Sequence, residues 1–220
     1  MMIDKPEVIN LLLQFGTVTN RYMEYALDEH RREFLLNISL NNLKKILISP
    51  TGSNTDSIRR LSVDGGWDAV MEYLSSTNGV DSVDVVFSSK ADMQYHDFLG
   101  LSQRYPIVNI HITKYDEFIK KIKESDLVLT IDSQALHVAQ QFKIPTIAIY
   151  GPSTPFGVNF AKTTYPVTRS LICSPCRHKY ISLPCQGLAP CMKFDRTQFE
   201  VLAKLNLKNN LAENKANANN

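Results

Sequence analysis

The chain has 220 residues, 44% of them hydrophobic and 21% charged, with a net charge of +2 at pH 7. That length and mixture suit one domain plus an appendage, or two small domains, with a core of useful size. The weak net charge gives no electrostatic footprint for nucleic acid, and the longest apolar runs, DLVLTI and TIAIY, are far too short to cross a bilayer.

Taken in chain order, the opening MMIDKPEV lacks a basic segment followed by an apolar one. No signal peptide is therefore expected, and a reducing, cytoplasmic location is the default. Residues 6–40 read as two amphipathic helices, the second carrying Tyr22, Tyr25, Ala26, Phe34 and Leu35 near helical period. Residues 1–43 as a whole are expected to be a helical segment, a remnant of a preceding domain or a linker from it.

From Lys44 short β-rich runs alternate with helical stretches. Strands are expected at 45–49, 83–88, 107–112, 126–131 and 146–150, and helices at 67–77, 91–103, 115–125 and 134–143. Such alternation indicates a parallel sheet covered on both faces. Right-handed crossovers favour a doubly wound, Rossmann-like α/β sheet. Residues 151–166 read as loop, 195–207 as a closing helix and 208–220 as a polar, disordered tail, so the sheet domain is expected to occupy 44–207.

In such a sheet, ligands bind beyond the carboxyl ends of the strands, where chain order reverses. The first and fourth strands would flank that crevice. The loop after the first, PTGSNTDSIRR, offers Thr51, Gly52 and Ser53 as an amide-rich cradle and Arg59 as a bidentate phosphate partner; a solvated loop with a basic end has the same composition. After the fourth strand, Asp132 and Ser133 sit where a helix starts. They read either as N-caps or as part of a helix N-terminus aimed at a phosphate. Gln134 follows them, and His137 lies just over one turn on, where a buried supporting histidine is the commoner case. After the fifth strand, Gly151, Pro152, Ser153 and Thr154 form a stiff, hydroxyl-bearing turn.

All four cysteines lie in one proline-studded loop with the spacing C-x2-C-x8-C-x5-C: Cys173, Cys176, Cys185 and Cys191. In a reducing compartment a tetrahedral all-sulfur site for zinc or iron is favoured over free thiols and over disulfides. With four cysteine ligands no position stays open for chemistry, so the ion's role would be structural. His178 is a weaker alternative ligand.

The stretch TIDSQALHVAQQFKIPTIAIYGPSTP resembles the signature of glycosyltransferase family 9, the bacterial heptosyltransferases. Asp132, Ser133, His137, Pro145, Gly151, Pro152 and Ser153–Thr154 align with that signature, and ISPTGSNTDSIRRLS resembles the family's phosphate loop, with Arg59 at or near its basic residue. Two positions depart from it. Gln134 stands where the family has a glycine, and SSKADMQ offers only Asp92 where the family commonly places an acidic residue near the nucleoside. The cysteine loop resembles the autotransporter-heptosyltransferase branch, in which the resemblance implies a four-cysteine, iron-binding finger.

What the resemblance implies is the C-terminal, donor-binding half of a GT-B enzyme. The donor would be a nucleotide sugar, ADP-heptose, bound by the strand-end residues named above. The sugar would pass to a hydroxyl of a protein or of lipopolysaccharide. The partner would be an N-terminal domain or a second copy of the chain, with no nucleic acid. A non-catalytic nucleotide-sugar-binding module is the alternative, because only one of the two GT-B domains is matched and no general base is identifiable.

Overall fold

The computed structural model describes residues 26–36, 43–52, 66–77, 79–95, 98–157, 161–169, 171, 173–176, 185, 188–194, 196–199 and 201–202. Six strands form one parallel sheet: β1 (Lys45–Ser49), β2 (Ser82–Phe87), β3 (Val108–Ile112), β4 (Leu127–Ile131), β5 (Thr146–Tyr150) and β6 (Thr164–Thr168). Their order is β3-β2-β1-β4-β5-β6. Chain order therefore reverses between β1 and β4, whose register pairs Ile46 with Leu127 and Ser49 with Thr130. This is the doubly wound α/β sheet that the alternation predicts, and its strand ends supply the crevice.

Side-chain alternation along the strands divides the core into two. On one face Ile46, Ile48, Val83, Val85, Phe87, Leu127, Leu129, Ile131, Ile147 and Ile149 pack under Trp67 and α2 (Asp68–Ser75), Phe98 and Leu101 of α4 (Phe98–Arg104), and Phe34. On the other, Leu47, Val86 and Val128 meet Ile122 of α5 (Tyr115–Lys123) and Ala135, Val138 and Ala139 of α6 (Gln134–Gln141). The α5 sequence YDEFIKKIK turns Ile122 inward, and its charges run acidic in the first turn and basic in the last, matching the helix dipole. Between β2 and β3 the single helix expected at 91–103 is instead α3 (Lys90–Tyr95) followed by α4.

The strand β6 departs from expectation, since its sequence reads as loop. It carries Pro166, which has no N–H to give to a ladder and is tolerated only at a sheet edge. Here β6 is that edge. Its outward carbonyls are taken up by α1, the helix at 26–36. His30 Nε2 lies 3.0 Å from Thr164 O and 3.2 Å from Ala161 O. Arg31 Nε donates to Pro166 O at 3.0 Å and Nη2 to Thr168 Oγ1 at 3.1 Å. Phe34 adds an edge-on contact to Tyr165, with ring centroids 5.5 Å apart. A helix thus covers the strand's unpaired side and removes a template for edge-to-edge association.

Of the closing helix expected at 195–207, the described part is a 3-10 turn at Arg196–Phe199 and helical backbone at 201–202; the rest lies outside the described residues, as does the tail 208–220. No helix among the described residues is long and apolar enough to cross a membrane.

Candidate functional site

A cavity of about 720 Å³ opens at the carboxyl ends of β1, β2, β3 and β4. Its walls carry Ser49, Thr51 and Gly52 from β1 and its loop, and Asp132, Ser133, Gln134, Ala135 and His137 from the start of α6. Gly52 sits against the neighbouring strand end: a β-carbon there would lie 3.6 Å from Ile131 Cδ1 and 3.8 Å from Asp132 O. The two loops that the reversal of chain order singles out therefore do share one crevice.

The hydroxyl pattern under this rim is specific. Thr130 Oγ1 donates to Ser49 O at 3.0 Å and lies 2.9 Å from Ser133 Oγ. With Thr130's proton given to Ser49 O, Ser133 is the donor in the second contact. Ser133 occupies the N-cap position of α6 in extended conformation, yet its side chain makes no capping bond. The ordinary N-capping role expected for Ser133 is thus replaced by a tie between β4 and α6.

Asp132 is nearly buried, at 7% exposure. Its charge is felt below the rim: burial first, then Asp132, holds the Tyr150 phenol well above its usual pKa. Gln134 and His137 are exposed on the wall. For His137 the structure replaces the expected buried supporting group by an exposed one, because it lies on the outer side of α6.

Ser53 and Arg59 lie outside the described residues, as does His178. Gly151, Pro152, Ser153 and Thr154 are not among the cavity's walls. The sheet brings them to the same edge, on β5, but the cysteine loop stands against them. A β-carbon at Gly151 would fall 2.5 Å from Met192 Sδ and 3.0 Å from Cys191 Sγ, and Ser174 Oγ donates to Gly151 O. The loops after β1 and β4 thus line this cavity, and the side of Gly151 that a β-carbon would occupy is taken by Met192 and Cys191.

None of the four cysteines is in a disulfide. Cys176 and Cys191 are buried at 3% and 2% exposure. The Cys191 thiol is pushed up to about 11, chiefly by burial and then by the neighbouring Cys176, Cys173 and Cys185. Four soft donors within electrostatic range of one another have the chemistry that zinc or iron takes. As they stand, no group of three His, Cys, Asp or Glu among the described residues converges closely enough to hold an ion. A four-cysteine metal finger is thus not shown by the described residues.

Reading only the loops after β1, β4 and β5 misses part of the wall: Val86, Phe87 and Ser88 at the end of β2, Thr113 after β3, and Tyr115 and Phe118 of α5. The signal for them was available, since β2 and β3 end at the same sheet edge. Asp92, the acidic residue considered for the nucleoside, is 3% exposed and faces inward. It accepts Ser88 Oγ at 2.7 Å and Ser89 Oγ at 2.9 Å.

A family model for glycosyltransferase family 9 (heptosyltransferase) matches residues 9–186. The chain belongs to glycosyltransferase family 9. Its similarity to the putative lipopolysaccharide heptosyltransferase 4 of Escherichia coli K12 is 37% identity over 92 residues, covering 39% of this chain and 23% of that protein. Among solved structures, the ADP-heptose lipopolysaccharide heptosyltransferase II of E. coli superposes with a TM-score of 0.56 at 18% identity, over 84% of this chain and 52% of that one. A family 9 protein of Veillonella parvula DSM 2008 gives 0.53 at 18%, over 82% and 52%. E. coli heptosyltransferase WaaC with ADP-2-deoxy-2-fluoro heptose gives 0.53 at 12%, over 80% and 47%. At these identities the likeness to the solved structures is one of fold. This glycosyltransferase family 9 chain spans about half the length of those three structures.

Proposed function

We propose that the cavity binds a nucleoside diphosphate sugar, ADP-heptose, and that the chain is the donor-binding half of a heptosyltransferase. The observation that carries this reading is the meeting of Thr51–Gly52 with Asp132–Gln134 in one crevice at the reversal of strand order. Two of the solved relatives support it, one by the ADP-2-deoxy-2-fluoro heptose it holds and the other by its name, an ADP-heptose lipopolysaccharide heptosyltransferase. In transfer, an acceptor hydroxyl attacks the anomeric carbon and loses its proton to a base. The bond from that carbon to the diphosphate breaks, and the diphosphate leaves with the electron pair. Negative charge then grows on the phosphate oxygens, where the amide-rich β1 loop, Arg59 and the N-terminus of α6 would stabilise it. Asp132 is assigned to donor binding.

The acceptor is a hydroxyl of a protein or of lipopolysaccharide. The cysteine loop supports the protein alternative, through the autotransporter-heptosyltransferase branch. By that resemblance Cys173, Cys176, Cys185 and Cys191 would hold one iron or zinc ion, which would take the place of apolar packing in a loop too small for a core of its own.

Titration calorimetry of the 220-residue chain with ADP and ADP-heptose, paired with a turnover assay, tests the reading. Saturable binding of both is expected. Binding with no transfer to any acceptor favours a donor-binding module that works with a separate acceptor domain, a reading supported by the half-length match to the solved relatives. Failure to bind either nucleotide sinks both.

A further inference from the structure

The sheet order lays three kinds of surface along one cavity. At the ends of β1 and β4 the wall is polar, with Thr51, Gly52, Asp132 and Ser133. At the end of β3 it carries Thr113 and the aromatic rings of Tyr115 and Phe118. The end of β2 lies between them and presents Ser88. Neighbouring strands are about 4.8 Å apart, so the polar and aromatic ends are separated by about 10 Å. That is the scale of one nucleoside, with phosphate at one end, base at the other and ribose in the middle.

Ser88 is exposed, and the carboxylate that holds it is not. Its Oγ donates to Asp92 Oδ2 at 2.7 Å, within the short range of a charge-assisted bond. The hydroxyl proton is thereby committed, and the oxygen's lone pairs are left to accept from a donor in the cavity. Ser89 binds the same carboxylate oxygen at 2.9 Å and takes the Asp92 amide at 3.2 Å. It does not line the cavity, and its bonds support the start of α3, so it separates that support from the task assigned to Ser88.

We propose that Ser88, oriented and polarised by buried Asp92, accepts a hydrogen bond from a ribose hydroxyl of the donor nucleotide, and that this pair makes the site selective for ribonucleotides. The assignment rests on the nucleotide-sugar reading above. A carboxylate at the end of the second strand commonly receives the ribose directly in dinucleotide-binding sheets; here the charge would act through a serine.

The test is calorimetric binding of ADP, 2′-deoxy-ADP and 3′-deoxy-ADP to the full chain. The wild type is expected to bind one of the two deoxynucleotides roughly five- to tenfold more weakly than ADP, the worth of one hydrogen bond. In Ser88→Ala the affinity for ADP falls to that of the deoxynucleotide and the ratio approaches one. Ser89→Ala keeps the wild-type ratio, which a purely structural role for the loop would not predict. Asp92→Asn lowers the ratio without abolishing binding. Wild-type binding of ADP with no discrimination overturns the Ser88 assignment and leaves the donor reading standing, as does a ratio that survives Ser88→Ala. No binding of ADP by the wild type removes the donor reading, and this assignment with it.

Discussion

A β-carbon at position 151 would stand 2.5 Å from Met192 Sδ and 3.0 Å from both Met192 Cγ and Cys191 Sγ. In the sequence, Gly151 reads as a place where a ligand comes close to the backbone; in the fold, buried Met192 and Cys191 occupy that place. Gly151→Ala is therefore expected to cost about 1–3 kcal/mol by overpacking. Met192→Ala, which clears the nearest atoms, should recover part of that loss in the double variant, a non-additive coupling measurable by urea denaturation. Strict additivity would show that the two residues do not touch. Asp92 makes a related point at the same scale. An acidic residue after β2 is legible in the sequence, but its inward direction and the serines it holds depend on how α3 starts.

At the scale of elements, the contact between α1 and β6 should be sensitive to pH. Burial lowers the pKa of His30, opposed by its bonds to the Ala161 and Thr164 carbonyls and by Glu33, and assisted by Lys162. Glu33 and Lys162 pair with each other at 3.0 Å, so their opposing effects on the imidazole are tied together. With the folded pKa below the ordinary 6.5, the unfolded chain binds more protons in the window between the two values. Stability from this histidine is complete above that ordinary value and is lost as pH falls through the window. Thermal unfolding followed from neutral to mildly acid pH should show the loss, and His30→Gln should flatten that part of the profile. An unchanged slope in the variant would assign the pH dependence to other groups.

Strands β1, β4 and β5 were legible as continuous apolar runs, because burial on both faces leaves little choice of residue; β2 and the edge strand β3 were legible from β-branched residues set between polar ones. The strand β6 was hidden by Pro166, whose placement on an edge only the assembled sheet reveals.

For the whole molecule, the cysteine loop is expected to matter beyond its own length, since Cys191, Met192 and Phe194 belong to the larger core. Purified protein should contain about one iron or zinc ion per chain, and chelation should lower the melting temperature. A metal-free protein whose unfolding ignores chelator would defeat the metal assignment and leave the loop as packed thiols.

The sequence by itself determined the doubly wound sheet, the family and the two loops at the crevice, because apolar period and strand-end loop chemistry are local properties of the chain. Tertiary structure alone decided that Gly151 faces the cysteine loop, that Asp92 turns inward to hold Ser88 and Ser89, and that a helix covers a proline-bearing edge strand. Those outcomes depend on which strands become neighbours and on what fills the space beside them, and no local pattern encodes either.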